Sequence, residues 1–304
     1  MDFSGLFNMQ IMLFLVMFMG VYFRKTGMID GSSKNMISNM VINVTLPASI
    51  LKSFQKEMTQ EILMSCAEVM IISILMQIAA ALLGLFLYKK YPEERRKVLQ
   101  YSTICSNAGV LGNALAEGIY GDMGLLYASI FVVPMRTFMW SLGLTYFTEA
   151  PDKKSLAKKV LTHPCIVAVI IGFVIMGFQI KLPGFLDLTV KTVANANTYL
   201  AMLLVGTILA SVDVKSLVDK DILYYAFVRL GLMPFLVFMA CRLAGVDNLV
   251  TGVSVVLTGM PAASSTAAVA SKYHKDEIFA TKCVVFTTLL SMVTVPIWCM
   301  ILGK

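Results

Sequence analysis

Long apolar runs of about twenty residues, separated by short stretches in which the charges gather, constrain this chain more than any other feature. Wound as a helix, a run of that length matches the hydrocarbon thickness of a bilayer. In lipid a backbone must satisfy its own N–H and C=O groups, which leaves only helices or closed barrels. The runs predict an all-α membrane protein with ten spans near residues 4–23, 35–54, 61–88, 97–117, 123–147, 164–180, 189–211, 220–243, 249–270 and 277–302. With 58% hydrophobic and 14% charged residues in 304, little chain is left for a soluble domain. The first run has neither a basic flank before it nor a small-residue cleavage pattern, so it reads as a retained span and not a signal peptide.

The loops also give an orientation. Placing the N-terminus outside puts seventeen lysines and arginines in cytoplasmic loops and leaves six outside, so both termini are expected outside the cytoplasmic membrane. The same bias accounts for the net charge of +7 without a nucleic-acid partner. The longest basic loop, 148–163, divides the chain into five spans (1–147) and five more (164–304). Five is odd, so the second half enters the membrane from the opposite side, which is the inverted-repeat construction of many secondary transporters.

Each half carries matching polar interruptions. The second spans contain Asn43-Val44-Thr45-Leu46-Pro47 and Asn195-Ala196-Asn197-Thr198. The fourth and ninth contain Ser106-Asn107-Ala108-Gly109-Val110-Leu111-Gly112-Asn113 and Gly259-Met260-Pro261-Ala262-Ala263-Ser264-Ser265-Thr266. Pro261 lacks an N–H and clashes with the preceding turn, so a break is expected there; Gly109 and Gly112 loosen the fourth span more gently. If the two broken spans cross, each second half-helix aims free N–H groups and a partly positive end at the crossing, which suits a carboxylate. Asn107, Ser106, Ser264, Ser265 and Thr266 would then orient it. Small residues such as Ala262 equally suit close helix packing.

Charges inside the spans are the other candidates, because each is costly there and marks a pathway or a pair. Arg136 suits an anion bidentately. Glu68 suits a proton or a cation, and Arg229 lies at comparable depth in the eighth span. The competing assignment for all three is a structural ion pair, for instance Glu68 with Arg136, or snorkelling to the interface. His163 and His274 fall in or beside loops, and the six cysteines lie within apolar segments without C-x-x-C spacing, so no metal or disulfide is expected. Walker, H-E-x-x-H and G-x-S-x-G patterns are absent, which argues against an enzyme.

Taken in order, Asn43 to Pro47, Asn107 with Gly112 and Tyr120-Gly121, Pro261 followed by Lys272-Tyr273 and Asp276, and Pro296 resemble the auxin efflux carrier family in its short-loop, prokaryotic-type form, across essentially the whole chain. The resemblance implies a fold shared with sodium/bile-acid symporters. Spans one, two, six and seven would form a scaffold, the others a mobile transport unit moving in an elevator-like step, and spans four and nine would cross at the substrate. It also implies a small carboxylate such as malate or malonate, with Asn107 and Pro261 at the crossing. Ala114 and Thr266 stand where the family often has prolines, and the long cytoplasmic loop of the plant members is missing, which argues against auxin.

The expected function is therefore secondary active transport of a small organic anion. A sodium-coupled symporter of a larger anion, with Ser106, Asn107 and Glu68 supplying oxygens, is the first alternative, and a sensor or channel the second. No cofactor is expected beyond Na+ or H+ as coupling ion. The expected partners are the carboxylate and the bilayer, with a homodimer left open.

Overall fold

A computed structural model describes residues 3–57, 59–147, 158, 161–210, 219–263, 265–273 and 275–303. Most of the described residues are helical, with no strand among them. In order they form α1 (Phe3–Lys25), α2 (Gly31–Met40), α3 (Leu46–Ser53), α4 (Gln60–Leu87), α5 (Glu93–Ile104), α6 (Leu111–Phe138), α7 (Pro164–Gly177), α8 (Gly184–Asn195), α9 (Asn197–Leu209), α10 (Lys220–Phe227), α11 (Met233–Leu243), α12 (Asn248–Thr258), α13 (Ser265–Lys272) and α14 (Glu277–Ile301). Of the linker expected at 148–163, only 158 and 161–163 lie within the described residues.

Among the described residues, five helical runs are long and apolar enough to cross a membrane: Gln60–Leu87, Leu111–Gly143, Gly184–Leu209, Lys220–Leu243 and Glu277–Ile301. Pro164–Gly177 and Asn248–Thr258 are shorter apolar helices. The latter is short because the chain breaks at its C-terminal end, so no single helix there is as long as the apolar run.

Helix starts are set by loop residues. Asp30, Thr59, Asp219, Asp247 and Asp276 each accept a first-turn backbone N–H, satisfying donors that the helix itself cannot. Inside the spans, one-turn π-helices at Val41–Thr45 and Val228–Leu232 precede Pro47 and Pro234. The wider turn absorbs the register that each proline disrupts. Gly121 adopts φ 66° within α6, so one helix stops there and another starts at an angle.

The helices pack in two groups. α1 lies along α9, while α3 packs on α7 and α8. Gly20 and Gly206 let α1 and α9 touch backbone to backbone: a Cβ on Gly206 would fall on the Met17 carbonyl. In the other group α6 packs on α4 and α12, and α14 packs on α10 and α13. α6 also reaches α3, α7 and α9, joining the two groups.

Candidate functional site

The two broken segments meet. α5 stops at Ile104, Cys105 and Ser106 are extended, and α6 resumes at Leu111 after one turn of 3-10 helix at Asn107–Gly109. On the other side α12 stops at Thr258 and α13 begins at Ser265. Ser106 and Ala262 form an isolated antiparallel bridge. In it the Asn107 N–H donates to the Pro261 carbonyl at 2.8 Å and the Ala263 N–H to the Cys105 carbonyl at 3.1 Å. Each break thus supplies one donor and one acceptor to the other. Ser106 and Ala262 are buried, so the unwound backbone is sealed inside protein, the condition under which a membrane tolerates it.

The fourth span was expected to loosen only gently, for want of a proline. It is instead broken as completely as the ninth. The reciprocal bridge replaces the helical bonds, and Arg229 holds the carbonyl ends. Its Nε donates to the Met260 carbonyl at 3.0 Å and its Nη1 to the Thr103 carbonyl at 3.1 Å, while the Tyr225 hydroxyl donates to the Ser102 carbonyl at 2.9 Å. Arg229 is fully buried. It neither snorkels nor sits in an ion pair among the described residues; one cation faces the negative ends of two half-helices. The Ala262 N–H is held by the Thr287 hydroxyl at 3.1 Å.

The second half of α6 runs past the crossing. The Ser106 hydroxyl reaches the Met135 sulfur at 3.4 Å and the Ser265 hydroxyl that of Met139 at 3.9 Å. Between these, Arg136 lies against Gly109, where a Cβ would come within 2.7 Å of Nη2. Gly112 is as tightly placed, since a Cβ there would meet Leu257 Cδ2 at 2.6 Å. The Arg136 guanidinium is buried, and among the described residues no carboxylate lies within ion-pair distance of it. Its Nη1 contacts His163 Nε2 at 2.8 Å, and its Nε has no hydrogen-bond partner. Two further buried oxygens in these segments lack one, Asn113 Oδ1 and Thr266 Oγ1.

The remaining candidates divide. Asn107 is half-buried at the crossing, and Pro261 contributes its carbonyl. Ser264 lies outside the described residues. Asn43 is elsewhere, exposed on a face it shares with Asn35 and Asn39, its Nδ2 donating to the Asn39 carbonyl at 2.9 Å. Its neighbours do make the second contact between halves: the Thr45 hydroxyl donates to Asn197 Oδ1 at 3.1 Å and the Ser49 hydroxyl to the Ala194 carbonyl at 3.0 Å. Glu68 lines a surface groove of about 530 Å³ between α4 and α11, with Leu75 and Leu236, and does not pair with Arg136. Glu117 accepts from the Thr198 hydroxyl at 3.3 Å and lies 3.9 Å from Lys52.

Sequence reasoning missed His163. It stands directly before Pro164 at the start of α7, where its Nδ1 lies 3.2 Å from the Cys165 N–H. Burial, and then the adjoining Arg136 guanidinium, push its pKa down to about 3. A histidine before a helix-opening proline is a signal of a fixed ring, but nothing in the sequence says that the ring meets Arg136.

The comparisons with known proteins agree over nearly the whole chain. An uncharacterized transporter of Methanocaldococcus jannaschii is 25% identical over 300 residues, covering 95% of this chain and 96% of the relative. The uncharacterized transporter YfdV of Escherichia coli K12 is 24% identical, with 94% of each chain covered. A putative malonate transporter of Rhizobium meliloti is 23% identical, covering 87% of this chain and 86% of the relative. The model of the family described as membrane transport protein matches residues 7–299, and the chain therefore belongs to that family, the auxin efflux carriers.

Proposed function

We propose that this membrane transporter is a secondary active carrier of a small organic anion of the malate or malonate class. It works across the cytoplasmic membrane with both termini outside. Its ten spans form two inverted five-helix repeats, and the group containing α4, α6, α12 and α14 moves against the group containing α1, α3, α7 and α9 in an elevator-like step. The observation that carries the substrate class is Arg136, a buried guanidinium without a carboxylate partner among the described residues, set against Gly109 at the crossing of two helix starts. A buried, uncompensated charge costs several kcal/mol, and an anionic ligand removes that cost. The half-helix starting at Leu111 and that starting at Ser265 bring their N-terminal, partly positive ends to the crossing. The relative named as a putative malonate transporter supports the same class.

Arg136→Gln tests this by malonate and malate binding to the purified protein. A hydrogen bond to a charged group contributes about 1.5–3 kcal/mol, so affinity is expected to fall roughly 10- to 150-fold, with proteoliposome uptake falling in parallel. Binding of both anions at wild-type affinity by a folded Arg136→Gln protein would sink the assignment.

A further inference from the structure

Arg136 and His163 come from different packing groups, one from α6 and the other from the start of α7, and they meet at 2.8 Å. A guanidinium has only donors, so His163 Nε2 must present its lone pair. The other ring nitrogen lies 3.2 Å from the Cys165 N–H, which also asks for a lone pair. A neutral imidazole has one lone-pair nitrogen and one N–H, so it cannot accept both. The proton therefore sits on Nδ1 while Arg136 is held, and the helix-start contact is given up. A second proton, on Nε2, is incompatible with the guanidinium altogether.

We propose that His163 is the coupling-proton site of the carrier: it holds Arg136 through Nε2 until the substrate carboxylate takes the guanidinium over, and the freed imidazole then accepts one proton. This rests on the anion site proposed above. The balance is simple. Arg136 exchanges an uncharged acceptor for a carboxylate, no covalent bond to carbon changes, and Nε2 gains a proton from a hydronium ion on the loop side of α7. One proton is thus bound with each anion.

The surroundings fit that exchange. α7 packs on α3, α6 and the turn Val41–Thr45. The charged groups of those elements are Lys52 on α3 and Glu117, Asp122 and Arg136 on α6. Lys52 lies near Glu117 and Asp122 toward the other end of α6. That leaves Arg136 as the charge facing His163 among the described residues, with Cys165 the titratable neighbour on α7. The guanidinium keeps the ring neutral, as does the positive end of α7. Both are left behind when the ring swings away, and His163 is only half-buried, so water can reach it.

The test uses the full chain with malonate as probe. Malonate binding is measured between about pH 4.5 and 7, a range below and across the ordinary imidazole pKa of about 6.5, and proton co-movement is followed with a pH-sensitive dye trapped in proteoliposomes. Wild type, Arg136→Gln, His163→Gln and His163→Asn are compared; the last two leave an uncharged acceptor for Arg136 and guard against one variant folding poorly. Malonate's own ionisation is common to all four. Wild type is expected to bind more tightly as pH falls, by up to about tenfold per pH unit beyond any trend in the His163 variants, and to move protons inward with malonate. The His163 variants should bind malonate with that extra pH dependence gone and the proton signal lost. A wild-type proton signal and pH slope retained in both His163 variants overturns the coupling role alone, provided Arg136→Gln weakens binding. Arg136→Gln binding as wild type does overturns the anion site and the coupling together.

Discussion

Replacing Arg229 should separate the broken-helix architecture from the transport chemistry. Arg229→Met keeps a flexible apolar side chain of similar length in a fully buried place, so little cavity is left. It strands the Met260 and Thr103 carbonyls, which now accept at 3.0 and 3.1 Å. Each bond to a charged donor contributes about 1.5–3 kcal/mol, giving a loss of about 3–6 kcal/mol for the pair. Removing a buried charge also relieves its desolvation, which is why exchanging whole buried ion pairs for apolar residues can be neutral. Here only the donor is exchanged, and the two acceptors stay buried at helix ends that cannot close, so the loss wins. Arg229→Lys keeps the charge but lacks the fork, and should recover about half of the stability. At about 2 °C per kcal/mol for a chain of this size, the unfolding midpoint of Arg229→Met in detergent should fall by about 6–12 °C. A midpoint within about 1 °C of wild type, or Arg229→Lys as stable as wild type, would refute the claim that one guanidinium holds both helix ends.

Three further outcomes follow from the same geometry. Gly112→Ala puts a Cβ 2.6 Å from Leu257 Cδ2 and 3.0 Å from Met260 Cγ; overpacking of this kind costs about 1–3 kcal/mol, so its midpoint should fall, and an unchanged one would mean the crossing is not tightly packed. Thr287→Val orphans the Ala262 N–H and should cost about 1–3 kcal/mol, whereas Thr287→Ser should retain the bond; equal midpoints for the two would remove Thr287 from the crossing. The folded pKa of His163, about 3, lies below the unfolded value of 6.5, so its contribution is fully present above pH 6.5 and is lost as pH falls from there toward 3. The midpoint of wild type should accordingly drop more steeply than that of His163→Gln over this window, and parallel curves would show that the ring is not buried beside Arg136.

Much of this architecture is legible in the sequence because lipid makes polarity conspicuous. Asn107 with Gly109 and Gly112, and Pro261 with the small residues after it, stand out within apolar runs, and the structure brings those stretches together through the Ser106–Ala262 bridge. The depth of the fourth-span break was not legible. It depends on a bridge and on Arg229, both contributed by the other half of the chain, so Ala114 in place of a proline carries no information about it. Arg229 was visible as a charge in a span, but its partners are backbone carbonyls, which leave no trace in residue identity. Asn43 shows the converse limit: its side chain bonds to its own helix at Asn39, while Thr45 and Ser49 nearby make the contacts to the other half.

By itself the sequence determined that this chain is a helical membrane protein of the auxin efflux carrier family. It also determined which stretches cannot be ordinary lipid-facing helix, because the cost of polarity in hydrocarbon is local and is written residue by residue. Only the tertiary structure decided how the broken ends are satisfied, that Arg136 lies between Gly109 and His163 without a carboxylate beside it among the described residues, and that Glu68 belongs to a different surface. Those are pairings across 27 to 156 positions of chain, and hydrogen bonds and charges act through space, where sequence separation has no meaning.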